Sequence, residues 1–170
     1  FFSFHVSAQG DLALQGILDF SISGTGGKAV HVVATADIAD MSVYGIGVAN
    51  NGNGTDGQEY TFPAVSATAG DHILVAAQPD AMTAYLASEC VAEFSAMLEG
   101  NSSISMNGDD AIELFGGGVV IETFGDIDTD GSGEYWEYLD SWAYKVEGSW
   151  TYGAVNCTDG SSNSAESNCP

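Results

Sequence analysis

The chain has 170 residues, with 24 Asp and Glu against 2 Lys and Arg, which gives a formal net charge of −22 at pH 7. Lys28 and Lys145 cannot form a patch that neutralises phosphates, so nucleic acid and anionic membrane surfaces are excluded as electrostatic partners. Cations, neutral surfaces such as glycans, and other protein chains remain, and self-repulsion at this charge calls for high ionic strength, bound divalent metal, or both.

Hydrophobic residues at 45% suffice for one core, and 22 Gly among scattered Val, Ile, Tyr, Phe and Trp favour many short strands over a helical bundle. At the start, Phe2, Phe4 and Val6 alternate with polar residues. That segment reads either as the end of an export signal or as an apolar strand able to pair with a neighbour's sheet edge, and both imply export. Leu12–Ile22 and Ala29–Val33 read as strands around a Ser23–Gly27 turn, and Met41–Val48 as a third strand. The Asn- and Gly-rich run 50–57 is a loop. Glu59–Val65 and His72–Ala77 follow as strands. Asp80–Leu86, after Pro79, starts like a helix, and Val91–Leu98 is expected to be a second short one. Ala111–Phe115 and Val119–Phe124 form a hairpin around three glycines, and Trp142–Val146 is the last strand. Short strands at turn-separated spacing with one helical interruption predict an all-β sandwich or barrel. No stretch approaches the ~20 apolar residues that span a bilayer, so no membrane insertion is expected.

Residues 126–137, Asp-Ile-Asp-Thr-Asp-Gly-Ser-Gly-Glu-Tyr-Trp-Glu, fit the calcium-loop pattern D-x-[DN]-x-[DN]-G-x5-E. Calcium takes several hard oxygen ligands. The spacing offers Asp126, Asp128, Asp130, Ser132, Glu134 and Glu137, with Gly131 at the sharp turn. The preceding segment reads as strand rather than helix, so an EF-hand pair is not expected; the alternative is a solvated acidic loop. Asn107–Asp110 reads as a turn.

No catalytic constellation stands out. His5, His31 and His72 lack metal-ligand spacing, there is no nucleophile elbow, and the lysine at Gly24–Lys28 is not followed by Ser or Thr. His31 and His72 read as hydrogen-bonded strand histidines. The aromatic run that includes Tyr135, Trp136 and Tyr138 reads either as a sugar-stacking platform or as packing of the last strands. The polar tail 156–170 has little core of its own, so a disulfide is its natural clamp. Of the three single pairings open to Cys90, Cys157 and Cys169, Cys157–Cys169 is the favoured one, with Cys90 buried and free.

Several segments, in order, resemble the lamin tail domain family. Asp40–Tyr44 is similar to its D-L-S-x-Y strand, and Phe62–Val65 with Ala69–Ala76 to its apolar strand and A-G-D turn. Asn107–Leu114 is similar to N-G-D-D-A-x-x-L, and Val119–Gly125 to x-V-I-D-x-F-G. Residues 136–153 resemble the aromatic end of secreted bacterial members. The resemblance spans residues 11–155. It departs from the family at Val30–Ala34, where an acidic residue and Tyr-Asn are usual, and in a longer insert at 79–98. It implies an immunoglobulin-like β-sandwich over 11–155 without an active site, preceded by a remnant or strand at 1–10 and followed by the clamped tail at 156–170. The expected role is a non-catalytic, secreted or cell-surface interaction module, self-assembling into a fibre or matrix, with a structural calcium site. The alternative is a substrate- or glycan-targeting module of a larger secreted enzyme.

Overall fold

The computed structural model describes residues 10–170; the expected assembly strand at Phe2, Phe4 and Val6 lies outside the described residues. Among the described residues ten strands form two sheets, so the architecture is mostly β, consistent with an all-β sandwich. The strands are β1 (Leu12–Asp19), β2 (Lys28–Ala34), β3 (Tyr44–Ala49), β4 (Tyr60–Thr61), β5 (His72–Ala76), β6 (Ala96–Glu99), β7 (Ala111–Gly116), β8 (Val119–Phe124), β9 (Ser141–Val146) and β10 (Ser149–Tyr152). One sheet runs β10-β9-β1-β2-β5-β6 and the other β4-β3-β7-β8.

Strand alternation explains which side chains meet between the sheets. Val30, Val32 and Ala34 of β2, and Ile73 and Val75 of β5, face Ile46, Val48, Ile112 and Leu114 across the sandwich. In β1 the register shifts between Leu14 and Gly16, and this bulge changes the parity of the strand. Leu12 and Leu14 before it and Ile17 after it therefore all enter the same core. The Leu14 N–H, freed from the ladder near the bulge, donates to Glu122 Oε2 on β8 at 2.8 Å. The other oxygen of Glu122 pairs with Lys145 on β9, so one carboxylate ties the two sheets together. The chain's other cation, Lys28, pairs with Asp19 at 3.1 Å, where β1 and β2 end opposite each other.

Several expected elements are corrected. Met41–Val43 is a 3-10 turn capped by Asp40, whose side chain accepts from the Ser42 N–H, and the strand begins only at Tyr44. The Glu59–Val65 strand shrinks to Tyr60–Thr61, because Pro63 has no N–H and Val65 turns back onto the Pro63 carbonyl at 2.8 Å. The second helix is Ser88–Ala92, and the end of the expected Val91–Leu98 helix is instead part of a strand, Ala96–Glu99, parallel to β5. Parallel neighbours need a crossover, and α1 (Pro79–Tyr85) with α2 (Ser88–Ala92) supplies it. The crossover covers the outer face of the larger sheet. There Leu18, Phe20, Ala29, Leu74, Ala76, Met82 and Tyr85 make a second, smaller apolar cluster.

Two glycines in β3 have a packing reason. A Cβ on Gly45 would meet Gln58 at 2.2 Å, and one on Gly47 would meet the Gly57 carbonyl at 2.1 Å. The bare face of β3 lets the Asn/Gly-rich loop lie flat on it, where Glu59 accepts from the Val48 N–H at 2.9 Å.

Candidate functional site

The acidic segment Asp126–Glu137 leaves β8 and wraps the end of the sandwich. Three of its five carboxylates bind their own loop. Asp126 accepts from Asp128 N and Thr129 Oγ at 3.0 Å each, Asp130 accepts from Ser132 N at 3.0 Å, and Glu137 accepts from Gly133 N at 2.8 Å. These are short-range side-chain-to-backbone turns of the kind Asp favours. Asp126, Asp128, Asp130, Ser132 and Glu134 are exposed. Among the described residues, no three His, Cys, Asp or Glu are grouped so as to hold a metal ion.

The loop is anchored on the Asn107–Asp110 turn. Gly131 N donates to the Asp109 carbonyl at 2.9 Å, Tyr138 N to the Gly108 carbonyl at 2.7 Å, and Tyr138 OH to the Asp110 carbonyl at 2.8 Å. The buried Asp110 carboxylate accepts from Asn51 N at 2.9 Å and Asn107 N at 3.0 Å, so it closes its own turn and ties it to the Asn/Gly-rich loop. Burial, and then the charges of Asp110, Asp130 and Glu137, push the Asp109 carboxyl above its ordinary value. Asp109 is therefore the residue that brings loop members Asp130 and Glu137 into one electrostatic group, and loop spacing alone gave no sign of it.

The three-ring sugar platform is not assembled. Tyr135 is 80% exposed, but Trp136 and Tyr138 are buried. Phe124 is the hub they pack on, with Trp136 at 5.9 Å, Tyr138 at 5.5 Å and Trp150 at 4.7 Å between ring centroids. Core packing claims these rings because β8 and β10 deliver Phe124 and Trp150 to the same end of the sandwich.

A disulfide joins Cys157 to Cys169. The tail it closes is docked rather than free. Ser161 Oγ meets Tyr85 OH at 2.6 Å, Ser164 Oγ accepts from Ala87 N at 3.0 Å, and Thr158 Oγ accepts from Ser21 N at 2.9 Å. Cys90 is free but exposed, not buried, because α2 sets it at the mouth of a cavity rather than inside the second cluster.

Beneath α2 lies the feature that the sequence reading undervalued. A cavity of about 350 Å³ is lined by Leu18, Phe20, His31, His72, Leu86, Cys90, Glu93, Phe94 and Tyr144. In the ladder His31 lies opposite Leu74, and Val33 lies opposite His72, so the two imidazoles are diagonal neighbours on the outer face. His31 Nε2 and His72 Nδ1 are 2.9 Å apart. His31 is only 3% exposed, and its Nδ1 has no hydrogen-bond partner among the described residues. Burial, reinforced by the nearby His72, holds it neutral, with its pKa lowered to about 3. The expectation of a fully hydrogen-bonded strand histidine therefore fails at one atom. The rings of Phe94 at 5.0 Å and Tyr144 at 5.6 Å complete an aromatic box around it.

No protein-family model, no curated protein and no solved structure matches this chain.

One signal in the sequence pointed at this cavity. His31 stands in a run, Ala29–Ala34, that is otherwise wholly apolar, as expected of a strand covered on both faces. A polar ring in such a run must find a partner or remain short of one. The partner, His72, lies far along the chain, and only strand register brings the two together.

Proposed function

We propose that this chain is a non-catalytic interaction module of the secreted or cell-surface kind, an immunoglobulin-like β-sandwich akin to lamin tail domains, that works by sheet-edge contact with further copies of itself. The observation that carries this reading is the β8 edge. It is a six-residue edge strand with Val119 50% and Val120 41% exposed, and it contains neither Lys nor Pro. Such an edge offers unpaired backbone groups to an incoming strand. The alternating sequence of Phe2, Phe4 and Val6 has the pattern that such an edge would accept from a neighbouring copy. Copies of net charge −22 repel one another, so association strengthens as salt or calcium screens the surface.

Light scattering at rising protein concentration, in low salt, in high salt and in millimolar calcium, tests the proposal. Concentration-dependent growth in screened conditions, lost in Val120→Lys and on deletion of residues 1–8 with melting unchanged, is the expected result. A monomer under every condition would overturn it. The targeting alternative rests on exposed Tyr135, whose ring lies 6.0 Å from that of Tyr152. A glycan array with Tyr135→Ala as control tests that reading.

A further inference from the structure

The cavity under α2 is a separate matter from sheet-edge contact and does not depend on it. Its floor comes from the outer face of the larger sheet: Leu18, His31, His72 and Tyr144, with Phe20 just beyond β1. Its roof comes from Leu86, Cys90, Glu93 and Phe94. At about 350 Å³ it is roughly twice the size of an engineered apolar cavity that takes up benzene, and it falls within the range of small-molecule pockets. The walls are aromatic and aliphatic, and a ring stacks or sits edge-on against such walls in well-defined ways.

The polar chemistry is confined to one pair. The nitrogens of His31 and His72 that face each other share a single proton when both rings are neutral. When His31 Nε2 donates, His31 Nδ1 is an acceptor and His72 Nε2 carries a hydrogen. When His72 Nδ1 donates, both outer nitrogens exchange roles. The pair therefore presents either a donor or an acceptor, and a hydroxyl, which is both, suits either arrangement. The Nδ1 of His31 is sealed from solvent and has no partner among the described residues, so a ligand reaches the pair through half-buried His72. Charge narrows the ligand further. The floor is uncharged, Glu93 stands at the opening, and the whole surface is acidic, so an anion is repelled.

We propose that this cavity is a binding pocket for a small uncharged aromatic molecule bearing one hydroxyl, with its ring against Phe20, Phe94 and Tyr144 and its hydroxyl met by the His31–His72 pair. Cys90 and Leu86 control the size of the opening from the insert side.

Calorimetric titration of the full chain at neutral pH with phenol, benzene and benzoate tests this. Phenol is expected to bind saturably at one site, benzene about tenfold more weakly for want of the hydrogen bond, and benzoate not at all. Cys90→Phe, on an exposed position of α2, fills the cavity and is expected to abolish binding of both neutral probes. Leu86→Trp is the second filling variant should the first fail to fold, with melting curves as the control. His72→Phe is expected to reduce phenol to the benzene level and leave benzene unchanged. No saturable phenol binding, binding of benzoate as strong as that of phenol, or phenol binding that survives both filling variants would each overturn the proposal.

Discussion

The two faces of the larger sheet are built to different standards. On the inner face of β2, Val30, Val32 and Ala34 are fully buried against the opposing sheet, and the polar groups at the margin are paired: Asp19 with Lys28, and Glu122 with Lys145 and the Leu14 N–H. On the outer face of the same strand, Ala29 and His31 meet two short helices, a cavity and an unpartnered nitrogen. The inner face has a whole second sheet to close it. The outer face has only the crossover that a parallel strand demands, and seven- and five-residue helices cannot exclude all space over a curved sheet. The larger vacancy thus goes with the connection, while the sandwich keeps only a smaller one of about 120 Å³ at its margin, beside Met41, Phe62 and Ile73.

The largest expected effect separates the faces by truncation. Leu114→Ala empties a fully buried inner position and should cost about 3–4 kcal/mol, whereas Leu86→Ala at the half-buried lip of the outer cavity should cost about 1 kcal/mol. Denaturant midpoints measure both. Equal losses would mean that the outer cluster is as tightly packed as the inner one and would break the comparison.

Acid should attack the outer face first. His31 has a folded pKa of about 3 against an ordinary 6.5, a depressed value for a base. The neutral form is thus favoured by folding. Its contribution is fully present above about pH 6.5 and is lost as pH falls toward 3, amounting to as much as roughly 4 kcal/mol. The groups around it are His72 on β5, Tyr144 on β9, and Cys90 and Glu93 on the α2 side. Buried Asp19 acts in the opposite sense. Its raised pKa, from burial offset by Lys28, gives stability that is lost as pH rises through the folded value. His31→Leu isolates the first effect. The gap in unfolding free energy between wild type and His31→Leu should shift in favour of the variant as pH falls from about 7 to about 4. A constant gap would show that His31 does not titrate with unfolding.

How much of this was legible follows the length scale of each interaction. The β1–β2 and β7–β8 hairpins, the crossover insert and the Asn107–Asp110 turn declare themselves through local patterns of Gly, Pro and alternation. The β1 bulge, the β6 strand and the His31–His72 pair depend on partners distant in sequence, and periodicity carries no trace of register. The calcium pattern shows the reverse limit. Spacing names the carboxylates, whereas the turns that hold Asp126 and Asp130 on adjacent N–H groups are set by the local backbone. Trp136 and Tyr138 fall on the packing side of their two readings, and only burial separates these, because an aromatic run looks the same whether it covers a core or a ligand.

The tail offers a sharper and smaller test. Ser161 and Ser164 bond to Tyr85 and Ala87 of the insert, so the Cys157–Cys169 disulfide braces the outer face. Cysteines twelve positions apart close a short loop, and the bond should contribute about 2–3 kcal/mol by loop entropy. Reduction should accelerate hydrogen exchange across residues 79–99 and 156–170 and leave β3 and β7 protected. Uniform acceleration would mean that the two faces unfold as one unit.

The smallest effect concerns the acidic rim of the inner core. Asp126, Asp130 and Glu137 are already engaged with backbone N–H groups, but a carboxylate oxygen has lone pairs to spare, and Asp109 is held above its ordinary pKa partly by Asp130 and Glu137. A divalent ion relieves that repulsion more strongly than the same ionic strength of sodium. Millimolar calcium should therefore raise the melting temperature by about 1–2 °C over the sodium control, on the scale expected for a few tenths of a kcal/mol in a domain of this size. Asp128→Ala and Asp109→Asn divide the cause. If the loop itself ligates, Asp128→Ala removes the excess. If the cation only relieves the crowding around Asp109, Asp109→Asn removes it and Asp128→Ala does not. Identical curves in calcium and sodium would leave the rim held by hydrogen bonds alone, complete without an ion, as the inner core behind it is.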